Sequence, residues 1–168
     1  MLRTSSQPSG EGLPRLDHVF FEDEVRPHLG AVLLQSNLLT GQQLDTALAE
    51  QAESQKRLGE ILVDRGWLFP QDIARALAQQ HGIKYVDIQR VSVDPRAAAR
   101  LDPAIGRRHC SIPVRFLTDG TLLIAVADPT SDGLAEVTAA VGGQVAFAVA
   151  EEADIVNAWR LLLSGHAA

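Results

Sequence analysis

HLGAVLLQSNLLTGQQLDTALAEQ occupies His28–Gln51, and RLGEILVDRGWLFPQDIARALAQQ occupies Arg57–Gln80. Each stretch is 24 residues long, and only AESQK separates them. At an offset of 29, nine of the 24 positions are identical. They are Leu29/Leu58, Gly30/Gly59, Leu33/Leu62, Leu39/Leu68, Gln42/Gln71, Ala47/Ala76, Leu48/Leu77, Ala49/Ala78 and Gln51/Gln80. Composition alone would supply roughly two such matches, so the segment reads as a duplication.

Each copy predicts helix, tight turn, helix. Leu29, Val32 and Leu33 fall at helical spacing. Asn37 and Gly66 hold the same place after the first helix, and both residue types tolerate the left-handed conformation that ends one. Thr40 with Gln43 matches a capping box. Pro70 suits the first position of a helix. The second helices carry Leu44, Ala47, Leu48, Gln51 and Ile73, Ala76, Leu77, Gln80, the i, i+3, i+4, i+7 stripe of an amphipathic helix.

Outward from the repeat, the texture changes on both sides. Residues 1–22 are rich in small and polar residues with Pro and Gly, and predict a disordered tail or linker. Asp17–Arg26 carries Phe20 and Phe21 among acids and reads as a short docking segment or a lead-in to the first helix. Residues 23–82 form the expected tandem helical-repeat subdomain, and residues 83–168 a small α+β subdomain. Lys84–Ile88 predicts a short strand. Asp94-Pro95 and Asp102-Pro103 each predict a helix start, Asp as cap and Pro just inside. Ser111–Leu117, the turn Thr118-Asp119-Gly120 and Thr121–Ala127 predict a β-hairpin. A helix over 131–141, a stop at Gly142-Gly143, a strand over 144–149 and a helix over 151–163 follow. The class is α+β, with helices on one face of the sheet.

The chain has 168 residues, a formal net charge of −6 and one cysteine. Net acidity argues against a DNA or RNA partner. A lone cysteine builds no disulfide framework, and neither a signal peptide nor an apolar run of spanning length occurs, so a cytoplasmic protein without membrane insertion is expected. No GxxxxGK[ST], HExxH or GxSxG motif and no paired Cys/His metal spacing occurs. Cys110, beside His109, reads as a small hydrophobe rather than a nucleophile. Asp128 reads as shaping the turn ADPTSDG rather than as a catalytic carboxylate. No catalytic residue, metal or cofactor is expected.

Stacking two helical hairpins would by itself bury their leucines. Three features point further. Gln51 and Gln80 lie on apolar stripes, where an amide needs a partner. Gly30 and Gly59 cost about 1 kcal/mol against Ala inside a helix, and leave room for a ligand or a second backbone. Arg57 sits beside helix N–H groups, in reach of a phosphate or a guanine edge. Leucines over the faces of a purine, with Arg and Gln on its edge, would make a half-site, and two half-sites suit a ligand with two purines.

The arrangement RLG-x2-[LVI]2-x2-G-[LVI]2-x4-[LVI]-x3-L-x2-Q, written twice, resembles the MshEN domain, the N-terminal region of type II secretion and type IV pilus assembly ATPases. The second copy fits at Arg57, Leu58, Gly59, Leu62, Val63, Gly66, Leu68, Ile73, Leu77 and Gln80, with Trp67 in place of an aliphatic residue. The first has His28 for Arg and Asn37 for Gly. His28 removes a permanent charge and a bidentate fork but keeps a donor and a ring. The resemblance extends over roughly residues 27–163, without the ATPase part. It implies a regulatory module of such a secretion or pilus system, binding cyclic di-GMP through His28, Leu29, Gly30, Leu33, Leu39, Leu44, Leu48 and Gln51 in one copy. In the other copy it implies Arg57, Leu58, Gly59, Leu62, Leu68, Ile73, Leu77 and Gln80. The alternative is a nucleotide-independent docking module for a platform protein of the inner membrane or for a separate ATPase.

Overall fold

The computed structural model describes residues 28–129 and 131–165; the expected 1–22 tail and the segment 17–26 lie outside them. The first repeat forms α1 (Leu29–Gln35) and α2 (Gly41–Glu53), the second α3 (Leu58–Asp64) and α4 (Pro70–Gln80). The turns form as their residues require. Asn37 sits at φ 53° and Gly66 at φ 69°, the left-handed conformation both types accept. Thr40 caps α2 in a full capping box with Gln43. Asp72 does half of this for α4, its carboxylate accepting from the Phe69 N–H at 3.0 Å.

The repeats do not stack as consecutive hairpins. α1 packs on α4, and α2 packs on α3, so each hairpin embraces the other under a local two-fold relation. The seam is a core of Val32, Leu33, Leu39, Ala47, Ile61, Leu62, Leu68 and Ala76. Leu33 and Leu62, equivalent at the offset of 29, are both fully buried.

The second half contains β1 (Lys84–Tyr85), α5 (Ile88–Val91), α6 (Pro95–Ala98), α7 (Pro103–Arg108), β2 (Ser111–Phe116), β3 (Leu122–Val126), α8 (Ser131–Val141), β4 (Val145–Val149) and α9 (Glu152–Gly165). Asp94 and Asp102 cap α6 and α7 as expected, accepting from Arg96 N–H at 2.9 Å and Ala104 N–H at 2.7 Å. The β2–β3 hairpin turns where Asp119-Gly120 predicts, with Gly120 at φ 84°. Its register shifts between Pro113 and Arg115; a proline lacks the N–H a regular ladder needs.

Two expectations are corrected. The strand predicted over 84–88 is two residues long, because the Asp87 carboxylate accepts from the N–H groups of Gln89 and Arg90 and starts α5 at Ile88. Helices do not hold one face of the sheet only. The strand order is β1-β4-β3-β2, with β1 and β3 parallel to β4 and β2 antiparallel to β3. Val149 clusters with Ala74 and Ala78 of α4, while Ala148 belongs to the main core with Ile155, Ala158 and Trp159 of α9. Successive strand residues point to opposite faces, so β4 is packed on both. Trp159 is buried, and its indole N–H donates to the Ser111 carbonyl at 2.8 Å, tying α9 to β2.

Candidate functional site

A cleft of about 340 Å³ opens between the second repeat and the sheet. One wall is α3 and α4, which present Leu58, Gly59, Val63, Ile73, Ala74 and Leu77. Leu29 of the first repeat joins them. The opposite wall is Ala127 and Asp128, just past β3, with Ala150, Glu151 and Glu152, just past β4. The C-terminal ends of parallel strands are where open sheets of this kind hold ligands.

Polar groups ring the apolar floor. Arg57, Glu60, Asp64, Asp128, Glu151 and Glu152 line the cleft, five carboxylates against one guanidinium. Arg57 Nη1 donates to Asp128 Oδ2 at 2.9 Å, and this pair bridges the two halves. The Arg57 side chain is 71% exposed, so the pair contributes at most about 1 kcal/mol to stability. Glu60 accepts from the Arg57 backbone N–H at 2.8 Å. Asp64 accepts from Lys56 Nζ at 2.7 Å, and this bond, with the charge of Asp64, raises the pKa of Lys56. The Tyr85 hydroxyl donates to Glu151 Oε1 at 3.2 Å and accepts from Gln71 Nε2 at 3.4 Å.

The residues expected at a ligand separate into three groups. Leu29, Arg57, Leu58, Gly59, Ile73 and Leu77 line the cleft together. His28 heads α1, exposed and with no side-chain capping bond; Leu48 is exposed, Leu44 half-buried. Gln51 and Gln80 are half-buried at the far ends of α2 and α4, and Gln51 Nε2 donates to the Lys56 carbonyl at 3.5 Å. Leu33, Leu39, Leu62 and Leu68 are the third group. At 0–6% exposure they are the seam between the repeats and offer no surface to a ligand, a correction to the leucine-covered purine.

The glycine gap is corrected too. A Cβ on Gly30 would lie 2.9 Å from Leu44 Cδ1, and one on Gly59 2.9 Å from Ile73 Cγ2. In each copy the space is filled by the partner helix. At the head of α3, seven residues long, Glu60 accepts from the N–H of Arg57. Cys110 is half-buried, and its thiol pKa is raised by burial first and then by Glu152, the opposite of an activated nucleophile.

Sequence reasoning weighed Asp128 only as a turn residue or a carboxylate at a strand end, and passed over Glu60, Asp64, Glu151 and Glu152. Their signal was position: Glu151 and Glu152 fall just past a predicted strand, where parallel sheets place ligands. Among the described residues no cluster of His, Cys, Asp and Glu could hold a metal ion, and no helix is long and apolar enough to cross a membrane.

Comparison with known proteins places this geometry. The Bacteriophage adsorption protein B of Escherichia coli K12 is 30% identical over 138 residues, 81% of this chain and 18% of that protein. The type IV pilus assembly ATPase PilB of Thermus thermophilus is 33% identical over 102 residues, 60% of this chain and 12% of that protein. The chain therefore spans less than a fifth of either relative. Among solved structures, MshE with cdg shares 27% identity and a TM-score of 0.73 over 82% of this chain and 99% of that one. The N-terminal domain of XpsE, at 24% identity, TM-score 0.62, 82% of this chain and 93% of that one, shares the fold. Residues 81–168 match the MshEN domain, and with this match over more than half of its length, the chain belongs to the MshEN domain family.

Proposed function

We propose that this chain is a non-catalytic receptor module for cyclic di-GMP, serving a type II secretion or type IV pilus system. One observation carries the reading: the likeness to MshE with cdg, which we take as cyclic di-GMP, covers 82% of this chain. That is more than residues 81–168 can supply, so the likeness runs into the tandem repeats. The relatives support a portable regulatory unit, since an adsorption protein and pilus ATPases share it as a small fraction of their lengths.

In this reading one purine of the ligand enters the cleft against Leu58, Ile73 and Leu77, with Arg57 turned from Asp128 to a phosphate or a base edge. The other lies toward the head of the first repeat, near His28, Leu29, Leu44 and Leu48. Gln51 and Gln80 supply amides at the far ends of their helices. Because Arg57 bridges to Asp128, its capture by a ligand would change how the repeats of 23–82 sit on the α+β half of 83–168.

Calorimetric titration with cyclic di-GMP, with GTP and cyclic di-AMP as controls, tests this. Selective binding at micromolar or tighter, about −8 kcal/mol, is the expected result. Absence of heat together with an unchanged melting temperature sinks the reading. The ring of five carboxylates favours one second reading, a nucleotide-independent docking module for a platform protein or a separate ATPase, which absence of binding would leave standing.

A further inference from the structure

α9 is apolar on more than the face it buries. Ile155, Ala158 and Trp159 point into the α+β core. Val156, Leu161 and Leu163 stand on its outer surface, 54%, 59% and 44% exposed. No other helix among the described residues leaves three large aliphatic side chains in solvent; α2 leaves Leu48 and α8 leaves none. A helix that is apolar well beyond one stripe is one that is covered on more than one side.

The charges on this outer surface have an order. Glu152, Val156 and Arg160 follow at i, i+4 and i+8 and so form one row, with Leu163 beside it. Leu161 lies off the row, on the flank that meets Ile88 and Gln89 of α5. The row has an acid at its head, a base about 12 Å further on and an aliphatic side chain midway. Among the described residues Glu152 forms no ion pair with a cation and Arg160 none with a carboxylate. The Arg160 guanidinium donates instead to Asn157 Oδ1 at 2.6 Å.

Such a row is complementary to itself read backwards. Laid antiparallel on a second α9 and crossing at Val156, it sets each Glu152 against the other Arg160 and Val156 against Val156. That is the isologous contact of a two-fold dimer, one patch meeting itself. A different protein would ask only for an apolar face; the ordered charges are what a second copy asks for. We infer that the outer row of α9 is a self-association surface, occupied by α9 of a second copy of this chain. One helix from each chain buries less than about 1,200 Å², below the size of standard interfaces. The pairing is therefore weak and reversible, with a dissociation constant on the order of 0.1 mM.

The test is sedimentation equilibrium of the 168-residue chain over concentrations from about 10 μM to about 1 mM. The mean mass of wild type rises from that of one chain toward that of two. Val156→Glu and Leu163→Glu stay monomeric, while Leu161→Glu associates as wild type does. Glu152→Arg and Arg160→Glu are each monomeric alone. An equimolar mixture of these two associates, because one then carries two cations on the row and the other two anions. All five positions are exposed, and an unchanged circular dichroism spectrum verifies that the variants fold. A monomer at every concentration overturns the inference and leaves the face to a different protein. A mixture that stays monomeric, or a Leu161→Glu chain as deficient as Val156→Glu, overturns it as well. No arm of this experiment contains nucleotide, so the receptor reading stands or falls separately.

Discussion

The two repeats are built from one plan and placed in two environments. The face of α4 that carries Ala74, Leu77 and Ala78 is pressed on β4 or lines the cleft. The same face of α2 carries Asp45, Leu48 and Ala49, all exposed. At the helix heads, Arg57 reaches across to the sheet while His28 stands in solvent. The inward faces, by contrast, have stayed alike down to single atoms: Gly30 on Leu44 and Gly59 on Ile73 make the same 2.9 Å approach. Duplication kept the contact that closes each hairpin on itself, and the α+β half decided what the outer faces became.

The largest effects should come from the shared interior. Leu33→Ala and Leu62→Ala each remove a fully buried side chain from the seam. Each should cost about 2–5 kcal/mol in denaturant unfolding, and similar losses would show that the seam is symmetric in energy as in geometry. Arg57→Ala should weaken cyclic di-GMP by about 100-fold, near 3 kcal/mol, in calorimetry with the melting temperature almost unmoved; a large fall in stability instead would make Arg57 structural. Gly59→Ala sharpens the comparison. The added methyl meets Ile73 Cγ2, fixed next to the backbone, whereas in Gly30→Ala it meets Leu44 Cδ1, which can swing. The first change should cost about 1–2 kcal/mol and the second close to nothing, and Ile73→Ala should suppress the first. Smallest is Leu48→Gln, expected within about 0.5 kcal/mol of wild type, against a clear loss for Leu77→Gln at the equivalent, covered position.

What was legible in the sequence was local. Asn37 and Gly66 at positive φ, the Thr40–Gln43 box, and the Asp-Pro starts of α6 and α7 each follow from a few neighbouring residues. So does the Asp119-Gly120 hairpin. The tandem pattern itself led to the family. The illegible features are long-range. Nothing near Leu33 says that α1 will meet α4 as well as α2. Nothing in Gln144–Val149 says that β4 runs parallel to β3 and is buried on both faces. The cleft's carboxylates converge from separate elements, and Arg57 meets Asp128 across 71 residues of chain. The glycines were read correctly as close approaches but assigned to the wrong visitor, because a leucine or isoleucine one helix away fills the space that a ligand also could.

The crosswise seam has a consequence for how such a module can evolve. Hairpins that stack head to tail leave an open end on which a further copy can settle, so their number drifts by insertion and deletion. Here α1 is taken by α4 and α2 by α3, and the pairing closes on itself. A third copy would find no vacant partner, and a single copy would expose half of an interior. Two is therefore the fixed size of this unit, and change is left to the rims, where one copy has an arginine and the other a histidine.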